Sequence, residues 1–188
     1  MVRPNIDVKL LLALPGVLMM LVGYVGCRLL NIPLRDASLE ITIFATLTAF
    51  YGASALSSGF ERWLPSFRSA GGSLEGAVRM MNLTPPWAFA LSMTSAVGEE
   101  LLFRGLLLGL GVKFLPVALA VVIQAALFAA LHPAPRAAWA YPLWTGLIGA
   151  WFGVVTVLTG SVVPGMLAHY LFNHLNFNAF LESQASSP

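Results

Sequence analysis

Charged residues are scarce in this chain of 188 residues. Ten Lys and Arg with eight Asp and Glu make up 10% of the sequence, whereas about 25% is usual in a soluble domain. Hydrophobic residues make up 58%, and the mean hydropathy is +0.81. A domain of about 150 residues buries only about 70% of its surface, so one core cannot cover this much apolar area. The composition therefore excludes a soluble globular protein and a disordered one, and it predicts a polytopic membrane protein.

Cysteine and basic clusters are also lacking. Cys27 is the only cysteine, which excludes an intramolecular disulfide and a metal site built on thiolates. The net charge is +2 and the basic residues are scattered rather than gathered into a patch. We therefore expect no nucleic-acid partner, and we expect the surroundings of the chain to be membrane lipid.

Apolar segments of about 20 residues predict membrane helices. They lie roughly at 9–30, 38–58, 86–110, 115–132, 137–159 and 161–181. We therefore predict an all-α fold, a polytopic transmembrane helical bundle of about six membrane helices within a range of about six to eight. It forms one continuous membrane domain, in which residues 1–84 hold the N-terminal helices and an interfacial segment and residues 85–182 hold the core.

The segment 59–86 is more polar than its neighbours. Within it, Leu74, Ala77, Val78 and Met81 recur at helical spacing. This pattern predicts a short helix lying in the membrane interface. A plain solvated loop is the alternative.

The basic residues of the loops indicate an orientation. With the N-terminus inside, the inner side holds Arg3, Lys9, Arg62, Arg68, Arg79 and Arg136. The outer side holds only Arg28, Arg35 and Lys113. The positive-inside rule therefore predicts a multi-pass protein with a cytoplasmic N-terminus.

The third apolar segment carries three charged residues, Glu99, Glu100 and Arg104. Unpaired in the centre of a membrane helix, they would cost roughly 8–10 kcal/mol together. Glu100 and Arg104 are four residues apart and therefore share a helix face, which predicts an ion pair. Glu99 is turned about 100° away, so its partner must come from another helix or from water. A carboxylate in that position suits general-base catalysis.

The three histidines lie in the fourth and sixth segments. His132 ends the fourth, while His169 and Asn173 are four residues apart in the sixth and share a face. Both types of side chain can donate a hydrogen bond to a developing oxyanion. His174 is turned about 140° from His169, so the two cannot project equally into one cavity, and His174 is expected to join helices.

His132 poses a problem of depth. In a six-helix layout it falls at the inner end of its helix, too shallow to meet Glu99 and His169. Either that helix is displaced into the membrane, or the segment 132–136 (HPAPR) bends within a water-filled cavity.

Three blocks carry these residues in order: Glu99-Glu100-x-x-x-Arg104, Phe128-x-x-x-His132 and His169-x-x-x-Asn173. On successive membrane helices they resemble the CAAX-protease and bacteriocin-processing (CPBP or Abi) family, whose members include the Ras-converting CAAX endopeptidases. The similarity covers roughly residues 85–180, so that 85–182 would be a CPBP-like catalytic core.

The resemblance implies an intramembrane endopeptidase of the glutamic type. Glu99 would be the general base, His132 would hold and polarise the attacking water, and His169 with Asn173 would form the oxyanion hole. Glu100 and Arg104 would support the site as an ion pair. Phe128 would pack beside them.

Metal dependence is a separate question, because two histidines and a glutamate on different helices could hold zinc with one open position. The ligands would be Glu99, His132 and His169. The sequence has no HExxH motif, and the resemblance favours a mechanism without metal. We therefore expect no cofactor, with zinc as the alternative.

The leading hypothesis is an integral-membrane endopeptidase that acts on a membrane-tethered or lipidated peptide tail. A non-proteolytic immunity or partner-binding protein of the same fold is a second hypothesis. A proton- or cation-coupled transporter that uses Glu99 and the histidines is a third. The short chain favours a protein of a prokaryotic inner membrane. The sequence does not indicate the substrate or the oligomeric state.

Overall fold

The structure is a computed structural model that describes residues 8–80 and 83–185. Every regular element in these two ranges is helical, which confirms the all-α prediction for them. The longer helices are α1 (Val8–Leu29), α2 (Leu39–Trp63), α3 (Pro65–Met80), α4 (Pro85–Glu99), α5 (Leu108–Phe114), α6 (Val117–Ala130), α7 (Ala140–Thr159) and α8 (Val163–Ala185). A π-helical segment, Glu100–Leu107, joins α4 to α5, and a 3-10 turn, Arg136–Ala138, precedes α7.

Within the described ranges, three helices are long and apolar enough to cross a membrane. They are Lys9–Leu29, Leu39–Trp63 and Ala140–Thr159. Helix α6 is apolar but has only 14 residues, and the run from α4 to α5 contains the three charged residues. The count of about six membrane helices therefore stays a prediction.

The polar segment after α2 contains a helix, as predicted. Helix α3 covers Pro65–Met80, so this part of the segment is not a plain loop. The side chains of Leu74, Ala77, Val78 and Arg79 and the whole of Met81 lie outside the described part of the chain, as does Arg3. The predicted apolar stripe and the interfacial position therefore stay predictions.

Helices α1 and α4 cross at a contact between glycines. A Cβ added at Gly16 would stand 2.6 Å from the carbonyl oxygen of Thr94, and one added at Gly98 would collide with the carbonyl of Gly16. Small residues allow two membrane helices to approach this closely. The contact holds the C-terminal end of α4, including Glu99, against α1.

Helices α2, α7 and α8 pack around a hydrophobic core. Its buried residues are Ala45, Ala49, Ala53, Ile148, Phe152, Val155 and Ala168. The indole of Trp151 donates a hydrogen bond of 3.1 Å to the carbonyl of Ala49. On the other side of α7, the Gln124 amide donates to the carbonyl of Gly149 at 2.8 Å and joins α6 to α7.

We predict that Gly16→Ala lowers the stability of the bundle by about 1–3 kcal/mol, because the new methyl group would push backbone against backbone. Thermal unfolding in detergent micelles measures the effect. Gly59→Ala in α2 is the matched control, since a Cβ at Gly59 has no atom within 4 Å. Equal unfolding temperatures for the two variants would contradict the close crossing.

Candidate active site

The bundle has an open cavity of about 870 Å³ that is lined by the predicted site residues. Glu99, His132, His169 and Asn173 all line it, and so does Phe128. Glu99 belongs to α4, His132 to the loop after α6, Phe128 to α6, and His169 and Asn173 to α8. The structure therefore brings together residues separated by up to 74 positions, although it does not test their predicted roles.

Glu99 lies between two imidazole rings that belong to other parts of the bundle. Its Oε2 is 3.8 Å from Nε2 of His169 and 4.0 Å from Nε2 of His132. The Glu99 side chain is 12% exposed, which leaves it partly open to the cavity. Both separations exceed a direct hydrogen bond and suit one bridging water molecule.

The partner of Glu100 is Arg104, as the spacing predicts. Nη1 of Arg104 donates to Oε1 of Glu100 at 3.0 Å, and neither side chain is exposed. The Arg104 guanidinium also lies 4.4 Å from the ring centre of Phe128, a cation–π contact. Phe128 therefore packs beside the site by covering this buried charge.

Glu100 has a second partner that the sequence did not reveal. Its Oε1 is 3.1 Å from Nδ1 of His169. The sequence interpretation assumed an α-helix and turned Glu99 and Glu100 about 100° apart. A π-helical segment begins at Glu100. Oε2 of Glu99 lies 3.8 Å from Nε2 of His169 and Oε1 of Glu100 lies 3.1 Å from Nδ1, so each carboxylate approaches a different nitrogen of the same ring.

The loop after α6 brings His132 to the cavity. Helix α6 ends at Ala130 after only 14 residues, and the segment His132–Pro135 is not helical. The side chain of His132 lines the cavity, whereas Pro133 and Pro135 are exposed, and the depth of His132 in a membrane stays a prediction. Its Nδ1 is 2.7 Å from the carbonyl oxygen of Phe128. Because a carbonyl only accepts, Nδ1 carries a proton, and in a neutral ring Nε2 is then an acceptor that faces Glu99.

Asn173 is held by a residue that the sequence interpretation missed. Its Nδ2 donates to Oγ of Ser95 at 2.9 Å, and both side chains line the cavity. Ser95 is four residues before Glu99 and so lies on the same face of α4. That spacing was the available signal. Tyr141 and Trp144 also line the cavity, and no pattern in the sequence distinguishes them from other aromatic residues.

His174 lies outside this group, as its rotation predicts. It stacks on Tyr170 with 5.2 Å between ring centres. Its Nε2 is 3.1 Å from Nδ2 of Asn178, one turn further along α8. His174 is not among the residues that line the cavity.

A model of the type II CAAX prenyl endopeptidase Rce1-like family matches residues 81–175. The chain belongs to this family. The matched region contains every residue of the three sequence blocks, so the resemblance drawn from them is confirmed. A search of curated proteins finds no match, and neither does a search of solved structures. Together with the apolar helices, membership of the CAAX endopeptidase family indicates an integral membrane protein of a membrane-protease family.

The alternative zinc ligands of this CAAX endopeptidase homologue do not fit an ion as they stand. Donors bound to one tetrahedral zinc are about 3.4 Å apart, given bonds of about 2.0–2.1 Å. The distances from Glu99 to the two imidazoles are 3.8 and 4.0 Å. Among the residues that the structure describes, no group of three or more His, Cys, Asp or Glu side chains is arranged to hold a metal.

We predict that Arg104→Met destabilises the protein by about 3–5 kcal/mol, because it leaves the Glu100 carboxylate buried without its cation. Chemical or thermal unfolding in micelles measures the loss. The double variant Glu100→Gln with Arg104→Met should recover most of it. If the double variant is as unstable as Arg104→Met alone, the ion pair does not account for the stability.

Proposed function

We propose that this chain is an intramembrane endopeptidase that hydrolyses a peptide bond in a membrane-tethered or lipidated tail. Glu99 is the general base in this proposal. The observation that supports it most is the meeting of one carboxylate with two imidazoles from separate elements inside a cavity. Membership of a CAAX prenyl endopeptidase family supports the substrate class.

The attacking water binds between Glu99 and His132. Both are acceptors in this proposal, since the Nδ1–H group of His132 donates a hydrogen bond to the carbonyl of Phe128 and its Nε2 carries no proton. A water molecule that donates one hydrogen to each keeps a lone pair directed at the substrate carbonyl carbon. Glu99 takes one proton as the new C–O bond forms, and it then gives that proton to the leaving amine as the C–N bond breaks. No acyl-enzyme is formed.

His169 and Asn173 stabilise the oxyanion. Two carboxylates and one guanidinium surround His169, so an imidazolium there balances the charge of the cluster. In that state, Nδ1–H donates to Glu100 and Nε2–H is directed into the cavity. The Asn173 amide has two N–H groups, and Ser95 accepts only one of them. The second is left to donate to the substrate oxygen.

The arrangement in the membrane is also part of the proposal. About six membrane helices with a cytoplasmic N-terminus follow from segment length and loop charge, and the host membrane is a prokaryotic inner membrane. The cavity is lined by Ser58 near the end of α2, by Phe67 of α3 and by Trp144 near the start of α7. These parts meet at one end of the bundle, since Trp144 contacts both Ser57 and Phe67. In the proposed orientation this end faces the cytoplasm. Residues 1–84 then provide the entrance side of the site and 85–182 provide its chemistry.

We predict that Glu99→Gln and His132→Ala each lower peptide cleavage by at least about 100-fold, which is the usual contribution of a general base. Mass spectrometry of cleavage products from a prenylated CAAX peptide in micelles measures this. His174→Ala is the matched control, because it removes an imidazole of α8 that does not line the cavity. Its activity should stay near that of the unaltered protein.

Three outcomes would contradict parts of this account. Cleavage that persists in both Glu99→Gln and His132→Ala would exclude the proposed base and water site. Loss of cleavage with strong chelators, restored by zinc, would favour the metal alternative. Ion flux into reconstituted vesicles that disappears in Glu99→Gln, without any cleavage, would favour a transporter.

We predict that Ser95→Ala lowers kcat about tenfold with little change in KM, because the Asn173 amide loses its acceptor and turns away from the oxyanion. Ser95→Thr should retain most of the rate, since it keeps a hydroxyl. Ser58→Ala is the control, because this serine lines the same cavity but donates only to the carbonyl of Ser54. Equal kinetics for Ser95→Ala and Ser58→Ala would show that Ser95 does not position Asn173.

A further inference from the structure

One basic side chain lines the cavity away from the site residues. Among the Lys and Arg residues that the structure describes, only Arg68 of α3 lines this cavity. Its Nη1 donates to the carbonyl oxygen of Glu61 at 2.5 Å, which ties the side chain to the end of α2. Among the carboxylates whose side chains the structure describes, none forms an ion pair with Arg68. Most of its five N–H donors are therefore open to a ligand.

We propose that Arg68 binds the free C-terminal carboxylate of the substrate and thereby determines how far from the chain end the scissile bond lies. This inference rests on the proposed function, since it assigns the tail of the same substrate. Arg68 is itself exposed, so a carboxylate beside it stays partly in water. A cation or several donors still favour a carboxylate at that position next to a largely apolar cavity. A guanidinium supplies both, because its planar fork matches the two oxygens of a carboxylate.

The surroundings of Arg68 leave room for such a group. Gly71 and Gly72 follow it on α3 and also line the cavity. A Cβ added at either glycine would have no atom within 4 Å. Gly72 is four residues after Arg68 and hence on the same face of the helix. A carboxylate can therefore approach the guanidinium over this face.

A row of aromatic rings connects the neighbourhood of Arg68 with the proposed water site. Phe67 contacts Trp144 at 5.4 Å between ring centres, and Trp144 stacks on Tyr141 at 5.8 Å. Tyr141 in turn lies 6.4 Å from the ring of His132. An extended peptide advances about 3.3–3.6 Å per residue, so a tail of about five residues or fewer spans these three steps. Cleavage is therefore expected within about five residues of the C-terminus.

The charges of Glu99 and Arg68, at opposite ends of the proposed path, favour one orientation of the bound substrate. Glu99 repels a carboxylate, whereas Arg68 attracts it. Glu61 also lines the cavity beside Arg68 and opposes the attraction in part. Replacing it by Gln should therefore tighten the binding of a free acid.

The test measures binding in the Glu99→Gln background, which holds the substrate without cleaving it. A fluorescent prenylated CAAX peptide is prepared with a free C-terminal acid and as its C-terminal amide. Fluorescence anisotropy in micelles gives a Kd for each. We expect the acid to bind about fivefold more tightly than the amide, as for a partly exposed ion pair. Adding Arg68→Gln should remove this difference, and Glu61→Gln should increase it.

Arg62→Gln is the matched control. Arg62 is an exposed arginine at the end of α2 that packs over the ring of Trp63 at 5.3 Å and does not line the cavity. This variant should keep the full preference for the acid, and Arg68→Lys should keep part of it. A loss of preference in both Arg62→Gln and Arg68→Gln would mean that overall charge, rather than Arg68, selects the tail.

Equal affinity for acid and amide in the Glu99→Gln protein, or no binding of either peptide, would overturn the inference. So would a preference for the acid that survives Arg68→Gln. Failure of the proposed mechanism would appear differently, as cleavage that continues in Glu99→Gln.

In a second measurement on the active protein, peptides with tails of three to eight residues after the scissile bond are compared. Cleavage that does not decrease beyond about five residues would contradict the assigned distance.

Discussion

The buried carboxylate of Glu100 is the junction on which the site depends. Its Oε1 accepts from Nη1 of Arg104 on the same segment and is 3.1 Å from Nδ1 of His169 on α8. One oxygen thus joins the π-helical segment to the last helix and orients the ring of His169. The other nitrogen of that ring is consequently presented to Glu99. Without Glu100, both the ring nitrogen and the buried guanidinium would lose a hydrogen-bond partner, and a buried polar group is costly to leave unpaired.

The rest of the bundle offsets the free-energy cost of placing these charged side chains within a membrane. Each ionised side chain in the centre of a spanning helix costs about 2.5–3.5 kcal/mol, unless it pairs or meets water. Glu100 and Arg104 pair completely out of contact with solvent, and Phe128 covers the guanidinium. Glu99 instead faces a cavity of about 870 Å³ and keeps partial exposure. The two adjacent glutamates therefore have different environments. Glu100 is buried in an ion pair, whereas Glu99 is open to the cavity, which suits Glu99 for chemistry.

Most of the architecture was predictable because apolar length and proline position determine it. The segment expected at 9–30 is Val8–Leu29, and the one expected at 137–159 is Ala140–Thr159. The ion pair of Glu100 with Arg104 followed from helical spacing alone. The π-helical turn did not, because it depends on tertiary contacts that no local pattern encodes. For the same reason, the approach of His132 to Glu99 and the partner of Asn173 become visible only in the packing of α4, α6 and α8.

The central claim is that a water molecule attacks the substrate between Glu99 and His132 while His169 and Asn173 receive the oxyanion. The most direct measurement is a high-resolution structure with a peptidyl ketone that binds as its hydrate, a mimic of the tetrahedral intermediate. The account predicts one hydroxyl of the hydrate between Glu99 and His132, and the other within hydrogen-bonding distance of Nε2 of His169 and Nδ2 of Asn173. A hydrate bound elsewhere in the cavity, or a covalent adduct with a serine side chain, would contradict it.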